Sequence, residues 1–347
     1  IVPDGTSIFG FNDEPTSDSD FVAYMDDNFG SGSGGSDLTT RPWFATIASV
    51  FDRWEEVSGI DFTYEPNDDG AAFAESSLPS GQLGVRGDIR ISGHPIDGGG
   101  KILAYNFFPN AGDMVIDTSD TFYLSSTDDW RRLRNVMAHE VGHGLGLGHV
   151  DPVDATKLME PLVSTTYEGP QFDDILAVHR GYGDGNEAAG GNDEAALATS
   201  LGGLSLGTTI SVGTHATNTF VDPGDVFLSG DGEYDFLSID DDSDQDYFRF
   251  TIAGPMAVTV NLTPRGPTYS SGPSGETVSS FDASAQSDLS FEIIASNGTT
   301  VLRSVNTTGL GGSESTSIDL ANAGDYFIRI TGADDAAQFY QLDVSAD

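Results

Sequence analysis

Apolar and polar positions alternate differently in the two halves of the chain. In the first half, apolar residues recur every three or four positions between residues 43 and 54, which predicts an amphipathic helix that ends by Gly59. In the second half, Asp246–Ile252 and Asp325–Ile330 alternate with a period of two, and turns rich in Gly, Asn, Asp and Ser separate such stretches. This change of period predicts a helix-containing unit followed by an all-β sandwich.

A second helical stretch leads into a histidine-rich motif. Ser126 or Thr127 can cap this helix, and apolar residues recur from Trp130 to Met137. Residues 139–149 follow directly and read His-Glu-Val-Gly-His-Gly-Leu-Gly-Leu-Gly-His. Three histidines on and just after one helix are typical of a metal site.

The spacing of the three histidines satisfies the geometry of a zinc site. His139 and His143 are four residues apart, so both rings face the same side of a helix and can bind one Zn²⁺. Gly146 permits a left-handed turn, which can bring His149 back as the third ligand. The fourth position is left for a water that zinc acidifies, and Glu140 is placed to take its proton. The motif therefore predicts one catalytic zinc and a general base.

The pattern H-E-x-x-H-x-x-G-x-x-H is the metzincin signature, and the chain resembles the matrixin branch of these zinc peptidases. Met159 and Pro161 resemble the Met-turn, in which the methionine lies beneath the zinc ligands. Residues 172–183 resemble the closing helix of a matrixin catalytic domain. The resemblance covers about residues 1–183 and implies an α+β fold with a twisted mixed sheet, long helices and a Met-turn.

The matrixin resemblance also implies positions that bind the substrate and the amino terminus. Leu103 and Ala104 resemble the edge strand along which matrixins align an extended substrate, and an ordinary sheet edge fits equally well. Asn135, four residues before the first ligand, would lie at the primary specificity pocket. In the family an aspartate such as those at 173–174 can hold the freed amino terminus, so we expect Ile1 nearby.

A glycine-rich acidic loop resembles the matrixin calcium site. Carboxylates and backbone carbonyls on a flexible loop are the oxygen donors that Ca²⁺ requires. The implied ligands are the side chains of Asp97, Asp117 and Asp120 and the carbonyls of Gly98, Gly100 and Ile102. A second calcium site would use Asp88 and Asp113. Solvated acidic turns are the alternative for both sets, because Asp-Gly turns are common in this chain.

The chain also departs from the matrixin pattern. Val150 follows the third histidine where Ser is usual, and Val163 stands where a Tyr usually follows the Met-turn proline. Tyr105 and Val115 occupy two positions at which the family has histidine ligands for a second, structural zinc. We therefore expect that second zinc to be absent.

Acidic residues dominate the composition. Among 347 residues, 14 Lys and Arg face 55 Asp and Glu, which gives a formal net charge of −41. This charge argues against nucleic acid and anionic membranes as partners. It also indicates salt- or calcium-rich surroundings, which screen or bind charge, and it favours a monomer. No apolar run reaches membrane-spanning length, and without cysteine no disulfide or thiolate site can form. The family resemblance implies a secreted, extracellular protein whose signal peptide and propeptide preceded residue 1.

We predict three segments along the chain. Residues 1–183 form the catalytic domain, residues 184–203 form a Gly-, Ala-, Asp- and Asn-rich flexible linker or the start of the second domain, and residues 204–347 form the sandwich. The sandwich resembles a bacterial pre-peptidase C-terminal domain, most clearly at Asn192–Ala195 and Gly324–Ile330. In relatives such modules assist secretion or bind polymeric substrates.

Together these features predict a secreted zinc endopeptidase that hydrolyses extracellular proteins, with matrix or gelatin-like proteins as candidate substrates. One alternative is a calcium-dependent adhesive or matrix-binding protein on a peptidase scaffold, since fold and function are separable. Another is a metallohydrolase that acts on something other than peptides. The complete set of three ligands and Glu140 favours an enzyme, and the edge strand and the Met-turn favour peptides.

Overall fold

The computed structural model describes residues 1–11, 14–74, 79–187, 190–214 and 236–346. In the first half, the helices of the described chain are α1 (Phe21–Phe29), α2 (Phe44–Glu56), α3 (Arg131–Gly144) and α4 (Phe172–Tyr182). The strands are β1 (Ser7–Ile8), β2 (Ser17–Asp18), β3 (Ile91–His94), β4 (Ala104–Asn106), β5 (Met114–Asp117) and β6 (Val150–Asp151). Short 3₁₀ turns lie at Leu38–Thr40 and Phe122–Leu124.

A mixed sheet supports helix α3. Its order is β3-β5-β4, with β3 parallel and β4 antiparallel to β5, so β4 is an outer strand. Helix α3 packs against α2 on one side and against β4 and β5 on the other. The buried Trp54 of α2 donates from Nε1 to the Ala138 carbonyl, 3.1 Å away, and so joins the two helices. The predicted mixed sheet with long helices is present in this half.

Helix α3 begins later than the sequence predicts. Ser126 and Thr127 lie outside the helix, and the backbone of Asp128, Asp129 and Trp130 has positive φ values of 52°, 51° and 65°. The Trp130 ring packs edge-on against Phe29, with centroids 4.6 Å apart. A contact with a residue a hundred positions away thus places the tryptophan before the helix, where local capping rules place it inside.

The second half forms two sheets whose buried faces enclose one core. Its strands are β7 (Thr199–Leu204), β8 (Thr209–Val212), β9 (Leu237–Ile239), β10 (Gln245–Ile252), β11 (Met256–Pro264), β12 (Thr268–Pro273), β13 (Ser279–Asp282), β14 (Leu289–Ile294), β15 (Val301–Val305), β16 (Glu314–Leu320), β17 (Gly324–Gly332) and β18 (Gln338–Ala346). One sheet has the order β15-β14-β17-β10-β7, and the other has the order β16-β11-β18-β8, with β9 also paired to β18. The two stretches predicted from period-two alternation pair with each other as β10 and β17.

The segment 184–203 differs from the predicted flexible linker. Thr199–Leu204 is strand β7, which pairs in parallel with β10. Asp184 and Asn192 are buried, and the Asp184 carboxylate accepts the Ser238 amide hydrogen at 2.9 Å. The Asn192 backbone carbonyl accepts the Tyr247 amide hydrogen of β10 at 2.9 Å. Composition predicts a solvated segment, but both residues are bonded to strands that lie far away in sequence.

Direct contacts join the two halves. The buried His179 ring of α4 donates from Nε2 to the Val57 carbonyl at 2.6 Å, and its Nδ1 lies 2.7 Å from Ser238 Oγ of β9. Strand β6 of the first half pairs with β12 of the second. Within the described residues, no helix is both long and apolar enough to cross a membrane.

Candidate metal centre

The structure brings together the three histidines that the sequence predicts as zinc ligands. His139 and His143 lie on α3, and the Nε2 atom of His149 is 3.0 Å from that of His139 and 3.1 Å from that of His143. Ligand nitrogens around a tetrahedral Zn²⁺ are about 3.3 Å apart, because each Zn–N bond is about 2.0–2.1 Å. The residues present therefore fit a zinc ion bound through three Nε2 atoms.

Backbone carbonyls orient the two helical ligands. His139 Nδ1 donates to the Leu158 carbonyl and His143 Nδ1 donates to the Leu147 carbonyl, each at 2.7 Å. A proton held on Nδ1 leaves the Nε2 lone pair free for a metal. Burial lowers the pKa of His139 to about 3 and that of His143 to about 4, so both rings are neutral near pH 7.

Glu140 lies beside the histidines as a buried acid. It is 5% exposed, borders the same groove as the three rings, and its Oε2 has no hydrogen-bond partner among the described residues. Burial raises the pKa of this carboxyl to about 8. A carboxyl with no protein partner, next to a metal site, is available to exchange a proton with a bound molecule.

Met159 packs against the helix between the two helical ligands. It is buried, and a Cβ placed on Gly142 would lie only 2.5 Å from its Sδ. The Asp174 carboxylate accepts the amide hydrogens of Leu158 and Met159 at 2.7 and 3.0 Å. Glycine at position 142 is therefore required by close packing, and the buried aspartate holds the chain that carries the methionine.

An open groove of about 700 Å³ runs past the three histidines and Glu140. The outer strand β4 borders it through Leu103 and Ala104, and Pro161 borders it from the segment after Met159. The exposed aromatic ring of Phe108 also lines it. The residues predicted to contact an extended substrate thus lie along the groove, with the exception of Asn135.

Asn135 holds a loop and does not line the groove. Its side chain is fully buried, and its Nδ2 donates to the Ser164 and Tyr167 carbonyls, each at 2.9 Å. Its Oδ1 accepts the Gly169 amide hydrogen at 3.0 Å. These bonds hold the loop at 164–169, because a neutral amide can satisfy several backbone groups at once. The predicted place at a specificity pocket stays a prediction.

The predicted calcium loop is closed by bonds from its carboxylates to backbone amides. Asp117 accepts from Ile96 at 3.0 Å, Asp120 accepts from Gly100 at 2.7 Å, and Asp97 accepts weakly from Ile102 at 3.4 Å. In the described part of the chain, three convergent acidic or histidine ligands occur at the zinc site and at one other place, and this loop is not that place. The ligand set that includes Gly98 stays a prediction.

Among the described residues, no direct contact joins Asp88 and Asp113, the second predicted calcium pair. Asp113 is fully buried, and burial raises the pKa of its carboxyl to about 7. The nearest charges that act on it include Arg90 and Asp68, which pair with each other at 2.7 Å. Asp88 lies against Gly81, at the edge of a separate small pocket. This pair also stays a prediction.

The other convergent acidic cluster lies at the junction of the two halves. Carboxylate oxygens of Glu187, Asp244 and Asp246 lie within 4.8 Å of one another. Burial raises the pKa of all three acids, and the charge of Asp184 raises those of Glu187 and Asp246 further. The sequence signal was the acidic run at 240–246, in which Asp244 and Asp246 are buried and Asp242 is exposed.

The amino terminus does not approach the aspartate pair of α4. Burial lowers the pKa of the Ile1 ammonium, and the carboxylates that act on it belong to Asp68, Asp113 and Glu65. Asp173 instead accepts from Ser271 Oγ of β12 at 3.1 Å. The predicted contact between Ile1 and this pair is therefore wrong for this structure, because a strand from the second half occupies Asp173.

A helix that carries His-Glu-x-x-His, with a third histidine after a glycine turn, is typical of the metal centre of zinc metallopeptidases. The matrixin family model matches residues 33–183, and this part of the chain is similar to the matrixin family.

Among curated relatives, human matrix metalloproteinase-19 is 30% identical over 154 residues, which cover 40% of this chain and 26% of that protein. Metalloendoproteinase 5-MMP of Arabidopsis thaliana is 30% identical over 192 residues, or 50% of each chain. Interstitial collagenase of Bos taurus is 35% identical over 153 residues, which cover 42% of this chain and 29% of that protein. The chain thus spans half or less of the length of these relatives.

Among solved structures, a pre-peptidase C-terminal domain of a collagenase from Bacillus anthracis matches with 12% identity and a TM-score of 0.23. The match covers 43% of this chain and 94% of that domain. It names the kind of module that the sequence predicts, but at this TM-score the likeness supports no conclusion about function.

Proposed function

We propose that the chain is a secreted zinc endopeptidase that cleaves extracellular proteins. The observation that carries the proposal is the convergence of three neutral imidazoles beside the buried Glu140, in a groove bordered by an outer strand. His139, His143 and His149 would hold the metal. The match of residues 33–183 to the matrixin family supports this proposal.

The reaction would divide its tasks among a few residues. An extended peptide would lie along Leu103 and Ala104 and exchange main-chain hydrogen bonds with the outer strand β4. Zinc, when bound, supplies a Lewis acid that polarises the scissile carbonyl and acidifies water. Glu140 would take a proton from the attacking water and then deliver it to the leaving amine nitrogen.

The segment around Met159 would serve as a Met-turn beneath the site. Its methionine packs on Gly142 between the two helical ligands, and Pro161 continues the chain into the groove wall. The bonds from Asp174 to Leu158 and Met159 hold this floor, and the Leu158 carbonyl in turn orients His139. The floor would therefore act by keeping the first ligand in place.

We further propose structural calcium at the loop of Asp97, Asp117 and Asp120, and a pre-peptidase C-terminal type of module in the sandwich. The loop combines carboxylates with glycine carbonyls, which is the donor chemistry that calcium needs. The large negative charge supports an extracellular, monomeric enzyme in surroundings that screen or bind charge.

The test is metal analysis of chelator-stripped and zinc-reconstituted protein, coupled to cleavage of gelatin and casein with calcium held constant. About one zinc per chain with zinc-dependent cleavage is the expected result. Zinc bound without cleavage of either substrate would favour the matrix-binding alternative. Failure to bind zinc at all would overturn the site.

A further inference from the structure

The three histidines of the zinc site are supported unequally. The rings of His139 and His143 are each oriented by an Nδ1 bond to a carbonyl. Among the described residues, the His149 ring shows no such partner, and its hydrogen-bond contacts run from Nε2 to the other two ligands. His149 is also the most exposed of the three. Its position must therefore be set by its backbone.

The backbone at His149 is held by segments from both halves of the molecule. On one side the Val150 amide donates to the Met159 carbonyl at 3.0 Å. On the other side the Ser274 amide donates to the His149 carbonyl at 2.9 Å. Strand β6, which starts at Val150, pairs antiparallel with Gly272 and Pro273 of β12. The carbonyl of a predicted zinc ligand is thus bonded directly to the sandwich half of the chain.

Side chains reinforce this backbone contact. The Gly275 amide donates to Asp151 Oδ2 at 2.7 Å, two residues after the ligand. Ser271 Oγ donates to Asp173 at 3.1 Å. On the same hairpin the rings of Tyr269 and Phe281 pack together and against a hydrophobic cluster to which both halves contribute. The hairpin is therefore anchored to the catalytic half at its tip, along β12 and at its base.

We propose that the β12–β13 hairpin, residues 268–282, is a positioning element for the zinc ligand His149. The proposal rests on the proposed zinc site and assigns to the sandwich a role in building that site. The ligand follows Gly146 and Gly148 on a short loop, and such a loop holds its own geometry weakly. Pairing with β12 supplies the rigidity that the helix supplies to the other two ligands.

A proline at position 274 breaks the contact and keeps the turn. Ser274 occupies the second position of a turn closed by the Glu276 amide and the Pro273 carbonyl at 3.0 Å, and Gly275 has a φ of +82° at the third position. Proline is favoured at the second position of such a turn. Ser274→Pro removes the amide hydrogen that reaches His149 and puts the ring Cδ in its place, so the His149 carbonyl must move away. Ser274→Ala keeps that hydrogen and is the matched control.

The measured quantity is the zinc dissociation constant of the full chain, by competition with a chromophoric chelator. We expect Ser274→Pro to weaken zinc binding by about tenfold, as outer contacts of metal ligands typically do, and Ser274→Ala to match the wild type. The cobalt-substituted proline variant should also show a changed visible spectrum, because the ligand field reports the position of His149. Equal zinc affinity and equal spectra in both variants would overturn the proposal.

Asp151 provides a second pair of variants that spare the hairpin backbone. Asp151→Ala removes the acceptor for Gly275 and should weaken zinc binding, whereas Asp151→Asn keeps an acceptor oxygen and should restore most of the affinity. An asparagine variant as weak as the alanine variant would show that only the charge matters, and would count against positioning. A wild-type chain that fails to bind zinc refutes the proposed site itself, which keeps the two failures distinct.

Discussion

Helix α3 and the ligand loop at 145–151 both contribute histidines to the same site, but different interactions hold these histidines in place. The helix places His139 and His143 one turn apart on a buried surface, and intrahelical bonds set their spacing. The loop carries the exposed His149 after two glycines and relies on β-pairing with residues more than a hundred positions away. Two ligands thus come from local structure, and the third depends on assembly of the whole molecule.

The largest effect is expected from a change at Glu140 on the helix, which should remove catalysis and leave metal binding intact. Glu140→Gln should lower kcat/KM by about 10²–10⁴-fold, because an amide cannot accept the proton of the attacking water. Zinc content should stay at the wild-type level, since Glu140 is not a ligand. The measurement pairs peptide cleavage with metal analysis, and full activity in a zinc-loaded variant would contradict the assigned role.

A smaller effect is expected from filling the space beneath the helical ligands. Gly142→Ala places a Cβ 2.5 Å from Met159 Sδ and 3.4 Å from the Trp54 ring, so the floor must shift. Overpacking of this kind costs about 1–3 kcal/mol in the free energy of unfolding. Denaturant unfolding measures it, with Gly148→Ala as the control, because a Cβ at position 148 meets no atom within 4 Å. Equal stability of the two variants would show that the floor is loosely packed.

At Gly146, where the chain turns into the loop, the backbone conformation should matter more than the size of the side chain. Gly146 has a φ of +100°, which a residue with a Cβ adopts at a cost of about 1–2 kcal/mol. We expect Gly146→Ala to weaken zinc binding more than it lowers the stability of the zinc-free protein, because the turn mainly directs His149. Chelator competition and thermal unfolding without zinc give the two values, and a loss confined to stability would go against this view.

Zinc removal should cause the smallest change in local stability, and only in the loop. Amide exchange at Leu147 and Val150 should accelerate by about tenfold, which corresponds to about 1.4 kcal/mol of local stability. The amides of α3 should change little, because the helix is buried against α2 and the sheet whether or not metal is bound. Hydrogen exchange with mass spectrometry compares the two regions directly. Equal acceleration in the helix would erase the distinction between them.

The contrast between helix and loop also explains which predictions from sequence succeeded. The zinc triad was predictable because its spacing is local, and the strands β10 and β17 were predictable because alternation of apolar and polar residues reflects burial directly. The start of α3 was not, because the packing of Trp130 on Phe29 overrides the capping signals. The three bonds from Asn135 to the loop at 164–169 were not predictable for a similar reason, because they exist only in the folded chain.

Local spacing and composition thus predict the zinc site, the general base, the helical ligands and the two kinds of architecture. Tertiary contacts place the amino terminus near Asp68, bury Asp184 and Asn192 in the segment that reads as a linker, and bring Ser274 to the carbonyl of His149. The physical reason is that helix geometry and apolar periodicity act over a few residues. Hydrogen bonds across a sheet join residues of any separation, and nothing in the local pattern marks them.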